Sequence, residues 1–380
     1  MTNNHKRIKL LVVDDSLTIR KRVIQTLKDE PDIEIVGEAK DGKEAVIKTS
    51  TLLPDVILMD MIMPCMDGLQ ATKSIMQKAP SAIIIHSASK EPEVRYKIWD
   101  AISSGAVDTL NKESSQTHPD KWKQQLKMTI RAASRMKNFS TRQRHSIVKN
   151  ETVSKEKTVF PKKNRKYNLI AFGVSTGGPA IISKILKTFP KSCSVPILLV
   201  IHMSSTGTDR FPEWLSQKSD LEVSFAQHQM NIFDNDNKGR VLLAPHNKHI
   251  EINNQHIRLF QSEPVNYCIP SIDVLFYSLA ENVYINSVSV LLSGMGNDGA
   301  KGLKEIHNNG GYTICQDEST SAVFGMPKAA ISYHAADIVL PDNEITNHIF
   351  SLPGIYTASN HNSEISNSNF QPGKKSPFVI

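Results

Sequence analysis

Two doubly wound α/β domains, each built on a parallel sheet, are the fold that this sequence predicts. Short apolar runs alternate with stretches of helical periodicity in both halves of the 380-residue chain, and a polar, basic stretch separates the halves. Such alternation favours parallel sheets covered by helices on both faces. We therefore assign residues 7–130 to a first domain, 131–166 to a flexible linker, 167–356 to a second domain and 357–380 to a disordered tail.

The elements of the first domain follow from apolar runs bounded by turn residues. Strands are predicted at 9–13, 33–39, 56–59, 82–86 and 107–110. Helices are predicted at 17–29, 42–52, 68–78 and 91–103. A further helix over roughly 119–136 places Trp122, Leu126 and Ile130 on one face and closes the domain.

The second domain repeats this alternation with one interruption. Strands are predicted at 168–174, 195–202, 288–292 and 312–316, and helices at 179–187, 208–217, 271–281, 300–308 and 326–333. Between them lie short, turn-rich segments at 223–225, 239–244, 248–252 and 257–260. These segments favour hairpins, so the sequence predicts a hairpin insertion in an otherwise parallel sheet.

The composition is typical of a soluble globular protein, with 39% hydrophobic and 22% charged residues. No apolar stretch reaches the roughly 18–20 residues that span a bilayer, and the run at 8–13 is too short for a signal peptide. The four cysteines, Cys65, Cys193, Cys268 and Cys315, are scattered without the spacing of metal ligands. We therefore expect a cytoplasmic protein with reduced thiols.

The positive charge is concentrated in the linker. Residues 131–166 carry twelve Lys or Arg against two acids, an excess of +10 in a chain whose net charge is +7, which leaves −3 for the rest. A solvated basic linker is the favoured interpretation. Contact with an acidic partner surface is the main alternative, and nucleic-acid binding is disfavoured.

Acidic and polar residues follow the strands of the first domain, at the edge where open parallel sheets form their functional crevice. Asp14 and Asp15 follow the first strand and Asp60 the third, while Ser87 and Lys112 follow the fourth and fifth. Clustered carboxylates need a cation to stay ionised together, and oxygen ligands suit Mg²⁺. Asp60 is then placed to attack a phosphoryl donor. As alternatives, the two adjacent acids can cap the next helix and Lys112 can be a surface residue.

The first domain resembles the receiver domain of two-component response regulators. The resemblance is carried by Val12-Val13-Asp14-Asp15-Ser16, Met59-Asp60-Met61-Ile62-Met63-Pro64 with Asp67-Gly68, Ser87-Ala88, and Gly105-Ala106 leading to Lys112. It implies a flavodoxin-like fold, phosphorylation of Asp60 by a histidine kinase, and a switch role for Ser87 and Lys112. It also implies a Mg²⁺ site that comprises Asp14, Asp15, Asp60 and the backbone carbonyl of Ile62.

A candidate nucleophile lies at a strand-to-helix turn of the second domain, in Gly173-Val174-Ser175-Thr176-Gly177-Gly178. Gly-x-Ser-x-Gly is the pattern of a nucleophile elbow, although a glycine-rich turn can equally cradle a phosphate. His202 ends the next strand, and one βαβ crossover brings it to the same sheet edge as Ser175. Asp298 follows a later strand, where its ordinary role is to cap the next helix. Together the three residues predict a Ser-His-Asp triad.

The second domain resembles the catalytic domain of the chemotaxis protein-glutamate methylesterases, the CheB family, from about residue 169 to 336. The motifs are Gly173-Val174-Ser175-Thr176-Gly177-Gly178-Pro179, Ile201-His202-Met203, Pro270-Ser271-Ile272-Asp273, Ser293-Gly294-Met295-Gly296-Asn297-Asp298-Gly299, Gln316-Asp317-Glu318 and Phe324-Gly325-Met326-Pro327. The resemblance implies a Rossmann-like domain with Ser175, His202 and Asp298 as catalytic residues. Thr176 and the amide of Met295 are candidates to stabilise an oxyanion.

Together the two resemblances imply a phosphorylation-activated esterase. It would hydrolyse glutamate γ-methyl esters on the cytoplasmic helices of chemoreceptors and deamidate glutamines there, as a monomer that needs no metal for the esterase reaction. We expect the unphosphorylated receiver to cover the serine site. Two alternatives stay open: a phosphorylation-dependent binding protein with an inactive esterase domain, and a DNA-binding regulator, for which the sequence offers no helix-turn-helix candidate after the linker.

Overall fold

The computed structural model describes residues 7–88, 92–112, 114–142, 165–203, 208–282 and 285–355. Two sheets, one of five strands and one of seven, organise these residues, together with a two-stranded hairpin. The predicted pair of parallel α/β domains is therefore confirmed. No helix in this part of the chain is long and apolar enough to cross a bilayer. The tail at 357–380 and linker residues 143–164 lie outside the described residues.

The first sheet is built from five short strands with buried apolar side chains. They are β1 (Ile8–Val13), β2 (Ile33–Ala39), β3 (Val56–Met59), β4 (Ala82–Ser87) and β5 (Asp108–Asn111). All neighbours are parallel, in the order β2-β1-β3-β4-β5. Because β3 and β4 are covered on both faces, every residue in them is buried. This double burial explains why the sequence shows them as continuous apolar runs.

Polar caps fix where several helices of the first domain begin. The helices are α1 (Leu17–Leu27), α2 (Gly42–Leu52), α3 (Gly68–Lys78), α4 (Pro92–Ser103), α5 (Ser114–Thr117) and α6 (Pro119–Arg142). Ser16, Asp41 and Asp67 are the N-caps of α1, α2 and α3, and Asp67 forms a capping box with Gln70. Ser16 thus takes the capping role that was the alternative for Asp14 and Asp15.

Helix α6 extends further than the sequence predicts. It continues to Arg142, so residues 131–142 are helical and the assignment of these residues to a flexible linker is wrong. Arg131 is held by the first domain, with Nε 2.7 Å from Asp32 Oδ2 and Nη2 2.6 Å from Glu30 Oε2. These acids are distant in sequence, so a count of local charge could not distinguish an anchored helix face from a linker. The predicted apolar face is buried and consists of Trp122, Leu126 and Ile130.

The described residues of the second domain contain nine strands. They are β6 (Leu169–Val174), β7 (Ile197–Ile201), β8 (Val223–Phe225), β9 (Val241–Leu243), β10 (His249–Asn253), β11 (His256–Phe260), β12 (Ser287–Leu291), β13 (Tyr312–Gln316) and β14 (Ile338–Leu340). Seven of them form one parallel sheet in the order β14-β13-β12-β6-β7-β9-β8, and β10 pairs with β11 as an antiparallel hairpin. The central strand β6, buried along its whole length, leads directly to the candidate nucleophile.

The hairpin interpretation of the middle segment is correct for β10 and β11 but wrong for β8 and β9. β8 pairs in parallel with β9, with Val223 opposite Val241, and β9 extends the main sheet beside β7. The connection through residues 226–240 is long enough for the crossover that parallel neighbours need. Three-residue strands are too short to show a period, so the sequence pattern did not separate the two arrangements.

Six helices cover the second sheet. They are α7 (Gly178–Leu186), α8 (Phe211–Lys218), α9 (Ile272–Glu281), α10 (Ala300–Asn308), α11 (Met326–Ser332) and α12 (Asp342–Phe350), and a 3₁₀ turn (Thr208–Arg210) precedes α8. Neither β14 nor α12 is predicted from the sequence. A three-residue strand and a nine-residue helix offer too short a pattern for that.

The two domains pack against each other through α4 and α8. Trp99 of α4 is buried against Phe211 and Trp214, with ring centroids 4.9 Å and 6.1 Å apart. Asp100 accepts a hydrogen bond from Trp214 Nε1 at 3.3 Å and pairs with Lys218 at 3.1 Å. Helix α4 also contacts α7, the helix that follows the turn of the candidate nucleophile. The first domain therefore packs on α7, the helix that begins three residues after the candidate nucleophile.

Candidate active site

Ser175 and His202 lie next to each other at the carboxyl edge of the second sheet. They directly follow Val174 and Ile201, which end β6 and β7 and are partners in the parallel register. The backbone N–H of His202 donates to the carbonyl of Val174 at 3.0 Å. One βαβ crossover thus brings a hydroxyl and an imidazole to the same edge.

Two glycines allow the nucleophile turn to form. Gly177 has a φ of +77° and precedes α7, a conformation that glycine adopts without steric cost. At Gly294, an added Cβ would lie 2.6 Å from the Cβ of Ser175, so only glycine lets the loop after β12 approach the serine. Ser175 is half-buried, and within the described residues its Oγ makes no hydrogen bond. The hydroxyl is therefore available to a substrate.

Asp298 is a buried carboxylate with several donors around it. Its Oδ2 lies 3.0 Å from His202 Nε2 and accepts a hydrogen bond from the N–H of Ile272 at 2.7 Å. Its Oδ1 accepts from Ser271 Oγ at 2.7 Å and from Asn266 Nδ2 at 2.8 Å. The alternative role of Asp298, as the N-cap of α10, does not apply. The N-cap of that helix is Gly299, and no side chain caps it. Asp298 instead binds the first turn of α9 while it holds the histidine.

Burial and the Asp298 carboxylate shift the pKa of His202 in opposite directions. Burial lowers the pKa of the imidazole, but the contacts with Asp298 and Cys268 outweigh it and raise the pKa to about 9. Burial also raises the pKa of Asp298, and the hydrogen bond from His202 reverses this, so the pKa lies below its usual value. The pair thus favours an imidazolium beside a carboxylate, the state through which a histidine base passes.

The amides near Ser175 are placed to stabilise negative charge. Within the part of the chain that the structure describes, the N–H groups of Thr176 and Met295 donate no hydrogen bond. The turn itself is fixed by Ser293, whose Oγ donates to the carbonyl of Thr176 at 2.8 Å. A free serine hydroxyl, an imidazole held by a carboxylate and unused amide donors together suit acyl transfer.

The segment before α9 contributes residues that the triad prediction missed. Asn266 Nδ2 bridges Asp298 at 2.8 Å and Asp273 at 2.7 Å. Asn266 and Tyr267 form a two-residue turn in which both have positive φ, +51° and +64°. Cys268 follows, with Sγ 3.6 Å from His202 Nδ1. Because this turn belongs to no regular element, only the motif that begins at Pro270 indicated that the segment mattered.

The carboxyl edge of the first sheet brings two acids and a lysine together. Lys112 Nζ lies 2.7 Å from Asp14 Oδ2 and 2.8 Å from Asp60 Oδ2. Asp14 and Asp60 are almost fully buried, and Asp15 beside them is exposed. Burial raises the pKa of Asp60 to about 6, while the ammonium of Lys112 acts in the opposite direction. The lysine is thus a member of the pocket and not an ordinary surface residue.

Ser87 and Ile62 border the same pocket. Ser87 is the last residue of β4 and is buried, and its carbonyl accepts a hydrogen bond from the N–H of Lys112 at 3.0 Å. Ile62 is 52% exposed and directs its N–H toward Asp60 Oδ1 at 3.4 Å. Oxygen atoms of Asp14, Asp15 and Asp60 lie within 4.8 Å of one another. This set of hard oxygen donors fits a Mg²⁺ ion.

Comparisons with known proteins match two parts of the chain to two families. Residues 170–349 match the family model "CheB methylesterase", and residues 10–120 match "Response regulator receiver domain". The chain is 35% identical over 349 residues to "Protein-glutamate methylesterase/protein-glutamine glutaminase 1" of Syntrophus aciditrophicus, covering 91% of this chain and 99% of that protein. It is 34% identical over 348 residues to "Protein-glutamate methylesterase/protein-glutamine glutaminase 2" of Methanospirillum hungatei, covering 91% and 98%.

The chain is also similar to a solved structure. The crystal structure of the Thermotoga maritima CheB methylesterase catalytic domain is 31% identical in sequence, covers 49% of this chain and 99% of that chain, and has a TM-score of 0.45.

Proposed function

The chain belongs to the CheB methylesterase family, and we propose that it hydrolyses glutamate γ-methyl esters on chemoreceptors and deamidates glutamines there, under the control of its receiver domain. The observation that carries this proposal is the contact of 3.0 Å between His202 Nε2 and Asp298 Oδ2, one strand away from Ser175. It supplies an oriented base beside an available hydroxyl. The substrate class comes from the names of the relatives.

In the proposed reaction, Ser175 Oγ attacks the ester carbonyl and passes its proton to Nδ1 of His202. The amides of Thr176 and Met295 stabilise the oxyanion, each such donor being worth about 3–4 kcal/mol in well-studied enzymes. The tetrahedral intermediate collapses as His202 returns the proton to the departing methoxide, which leaves as methanol. His202 then acts as the base again and activates a water molecule, which hydrolyses the acyl-serine. With a glutamine substrate the leaving group is ammonia.

Asp298 acts on this reaction through His202. Its contact with Nε2 selects the ring orientation and stabilises the imidazolium after proton transfer. Its bonds from Ser271 and from the N–H of Ile272 keep the carboxylate in place.

The first domain supplies the switch. Asp60 accepts a phosphoryl group from a histidine kinase. Asp14, Asp15, Asp60 and the carbonyl of Ile62 would hold a Mg²⁺ ion, which would neutralise phosphoryl charge. Lys112 already balances the carboxylates of Asp14 and Asp60, and with Ser87 it binds the new phosphoryl oxygens. We place the reaction in the cytoplasm, with the chain acting as a monomer.

Packing between the domains supports inhibition in the unphosphorylated state. Helix α4 lies against α7 and α8, and Trp99 is buried between the domains with Phe211 and Trp214. Helix α7 begins three residues after Ser175. We propose that this packing restricts access of receptor helices and that phosphorylation of Asp60 weakens it.

Methanol release from a methylated chemoreceptor, with and without a small phosphodonor, tests the proposed function on the full chain. We expect release to rise with the phosphodonor, to disappear in Ser175→Ala and to persist in the matched control Ser183→Ala on α7. Asp60→Asn should retain basal release but lose stimulation. No turnover together with no labelling of Ser175 by a serine-reactive probe would favour the binding regulator with an inactive esterase domain.

A further inference from the structure

A thiol lies against the catalytic imidazole on the side away from Asp298. Cys268 Sγ is 3.6 Å from His202 Nδ1, whereas Asp298 contacts Nε2. The cysteine is held by its turn, because Val265 and Cys268 exchange backbone hydrogen bonds at 2.9 Å and 3.2 Å. Its Sγ also donates to the carbonyl of Asn266 at 3.4 Å. The thiol therefore has a fixed position beside one ring nitrogen.

The distance between these two atoms is the one that a shared metal ion requires. Zinc binds histidine nitrogen at about 2.0–2.1 Å and thiolate sulfur at about 2.3 Å, so two ligands of a tetrahedral ion lie about 3.5 Å apart. The observed separation of Nδ1 and Sγ is 3.6 Å. Both atoms can thus bind one ion without rearrangement of the backbone.

Asp298 prepares the histidine for this role as well. A histidine that binds a metal through one nitrogen commonly donates its other N–H to a carboxylate, which fixes the tautomer and makes the ring a better ligand. Here Nε2 faces Asp298 Oδ2 at 3.0 Å. In the neutral imidazole, the nitrogen that faces Cys268 is then the one with the lone pair. Asp298, His202 and Cys268 together have the geometry of a carboxylate–histidine–metal site.

We propose that Zn²⁺, or another thiophilic divalent ion, binds between His202 Nδ1 and Cys268 Sγ and inhibits the enzyme reversibly. The bound ion occupies the nitrogen that must accept the proton of Ser175. Two protons are released to solvent on binding, the Nδ1 proton of the imidazolium as the Zn–N bond forms and the thiol proton as the Zn–S bond forms. Water, or the Ser175 hydroxyl, completes the coordination. The inhibition rests on the proposed function, whereas metal binding does not.

The two sites in the chain select different ions. Thiolate and imidazole prefer zinc, whereas the carboxylates of Asp14, Asp15 and Asp60 suit the harder Mg²⁺. The concentration of Mg²⁺ that supports phosphorylation therefore leaves the His202–Cys268 pair unoccupied. Excess Mg²⁺ can be present in every assay to occupy the carboxylate site, so that a response to Zn²⁺ reports on the thiol site.

Binding is tested with Co²⁺, which replaces zinc and has a thiolate charge-transfer band. The full chain, reduced and in excess Mg²⁺, is titrated with Co²⁺ alongside Cys268→Ser and the control Cys65→Ser, in which another accessible thiol is removed. We expect the band in the wild type and in Cys65→Ser, and its loss in Cys268→Ser. A band of equal intensity in Cys268→Ser, or no band in the wild type, overturns the proposal.

Inhibition is tested separately with Zn²⁺ in the methanol-release assay, each variant being compared with its own metal-free rate. We expect the inhibition constant to rise at least about tenfold in Cys268→Ser, because loss of even a second-shell partner costs about 10- to 100-fold in metal affinity. Chelator should restore the wild-type rate. Equal sensitivity of Cys268→Ser and wild type contradicts the inhibitory role. If the chain lacks esterase activity, the proposed function fails while the Co²⁺ band still decides the metal site.

Discussion

His202 directs Nε2 toward Asp298 Oδ2, 3.0 Å away, and this contact determines which ring nitrogen faces the rest of the site. With Nε2 facing the carboxylate, Nδ1 is the nitrogen left to exchange a proton with Ser175 in the proposed reaction. The same carboxylate accepts the N–H of Ile272 at the start of α9. Asp298 therefore links the orientation of the His202 ring to helix α9. We expect a substitution of Asp298 to change both kcat and the pH dependence of kcat/KM.

Asp298→Asn is expected to reduce kcat by orders of magnitude, since the equivalent change in the best-studied serine triad costs about 10⁴-fold. The remaining activity should have a shifted pH profile. In the wild type the pKa of His202 is raised to about 9, so kcat/KM rises with pH as the imidazolium loses its proton. The variant loses the carboxylate that raises this pKa, and its activity should reach a plateau at lower pH.

The profile is measured as kcat/KM from pH 5 to 10 for the wild type, Asp298→Asn and a control. Asp337→Asn is the control, because Asp337 contacts another histidine, His307, at 3.2 Å and lies outside the site. An unshifted profile in Asp298→Asn, with activity near that of the wild type, would remove Asp298 from its proposed role.

Asn266→Ala tests whether the turn before α9 positions the triad. Its side chain bridges Asp298 and Asp273, so the substitution leaves two buried carboxylates with one donor fewer each. Loss of a hydrogen bond to a charged group costs about 1.5–3 kcal/mol. We therefore expect kcat to fall roughly ten- to a hundredfold with little change in KM.

The matched control for this prediction is Asn254→Ala. Asn254 also has a positive φ, +45°, in an exposed turn, but it lies in the loop between β10 and β11. Both substitutions place alanine in a left-handed conformation, while only Asn266 bonds Asp298. If the two variants lost the same activity, backbone strain and not the carboxylate contact would explain the effect.

Strand ends were the most predictable part of this molecule. Buried parallel strands such as β3 and β4 appear in sequence as uninterrupted apolar runs, so their limits locate the carboxyl edge where Asp60 and Ser87 lie. The register of β6 and β7 then brings Ser175 beside His202, as one crossover requires. Five residues of these pockets could be named because each directly follows a strand: Asp14, Asp60, Lys112, Ser175 and His202.

Contacts made by irregular segments could not be predicted in the same way. Asn266 bonds Asp298 across 32 positions, and Cys268 reaches His202 across 66 positions, from a turn that follows no period. Arg131 is likewise held by acids 99 and 101 positions away, which made a helix resemble a linker. These contacts depend on the packed fold and not on local propensity.

Asp60→Asn is expected to stabilise the chain at neutral pH. Burial raises the pKa of Asp60 from 3.8 to about 6, which means that folding disfavours the ionised carboxylate. The corresponding cost is absent below pH 4 and is fully present above pH 6. Removing the charge should therefore raise the free energy of unfolding by about 1–3 kcal/mol at pH 7, after allowance for the lost contact with Lys112.

Urea denaturation of the full chain at pH 4 and pH 7, without Mg²⁺, measures this effect. The free energy of unfolding of Asp60→Asn, relative to that of the wild type, should increase from pH 4 to pH 7. A difference of the opposite sign at pH 7 would mean that the Lys112 contact outweighs the burial of Asp60.

Reversing one charge at the domain interface should raise basal esterase activity. Arg95 on α4 forms an ion pair with Asp209, in the turn that precedes α8. Arg95→Asp places two carboxylates opposite each other, while the apolar contacts of Trp99 remain. Exposed pairs of this kind contribute about 0.2–1 kcal/mol, so we expect roughly a two- to fivefold rise in methanol release without phosphodonor. The stimulated rate should change little, because in the proposed mechanism phosphorylation already weakens the interface.

The double variant Arg95→Asp/Asp209→Arg restores opposite charges in exchanged positions and distinguishes interface electrostatics from local damage. Its basal rate should return toward that of the wild type, since the pair is re-formed between the same two elements. Each single variant separately should be activated, because each places like charges across the interface. If the double variant stayed as active as Arg95→Asp, the gain would come from a change within α4, and this ion pair would not contribute to holding the receiver against the catalytic domain.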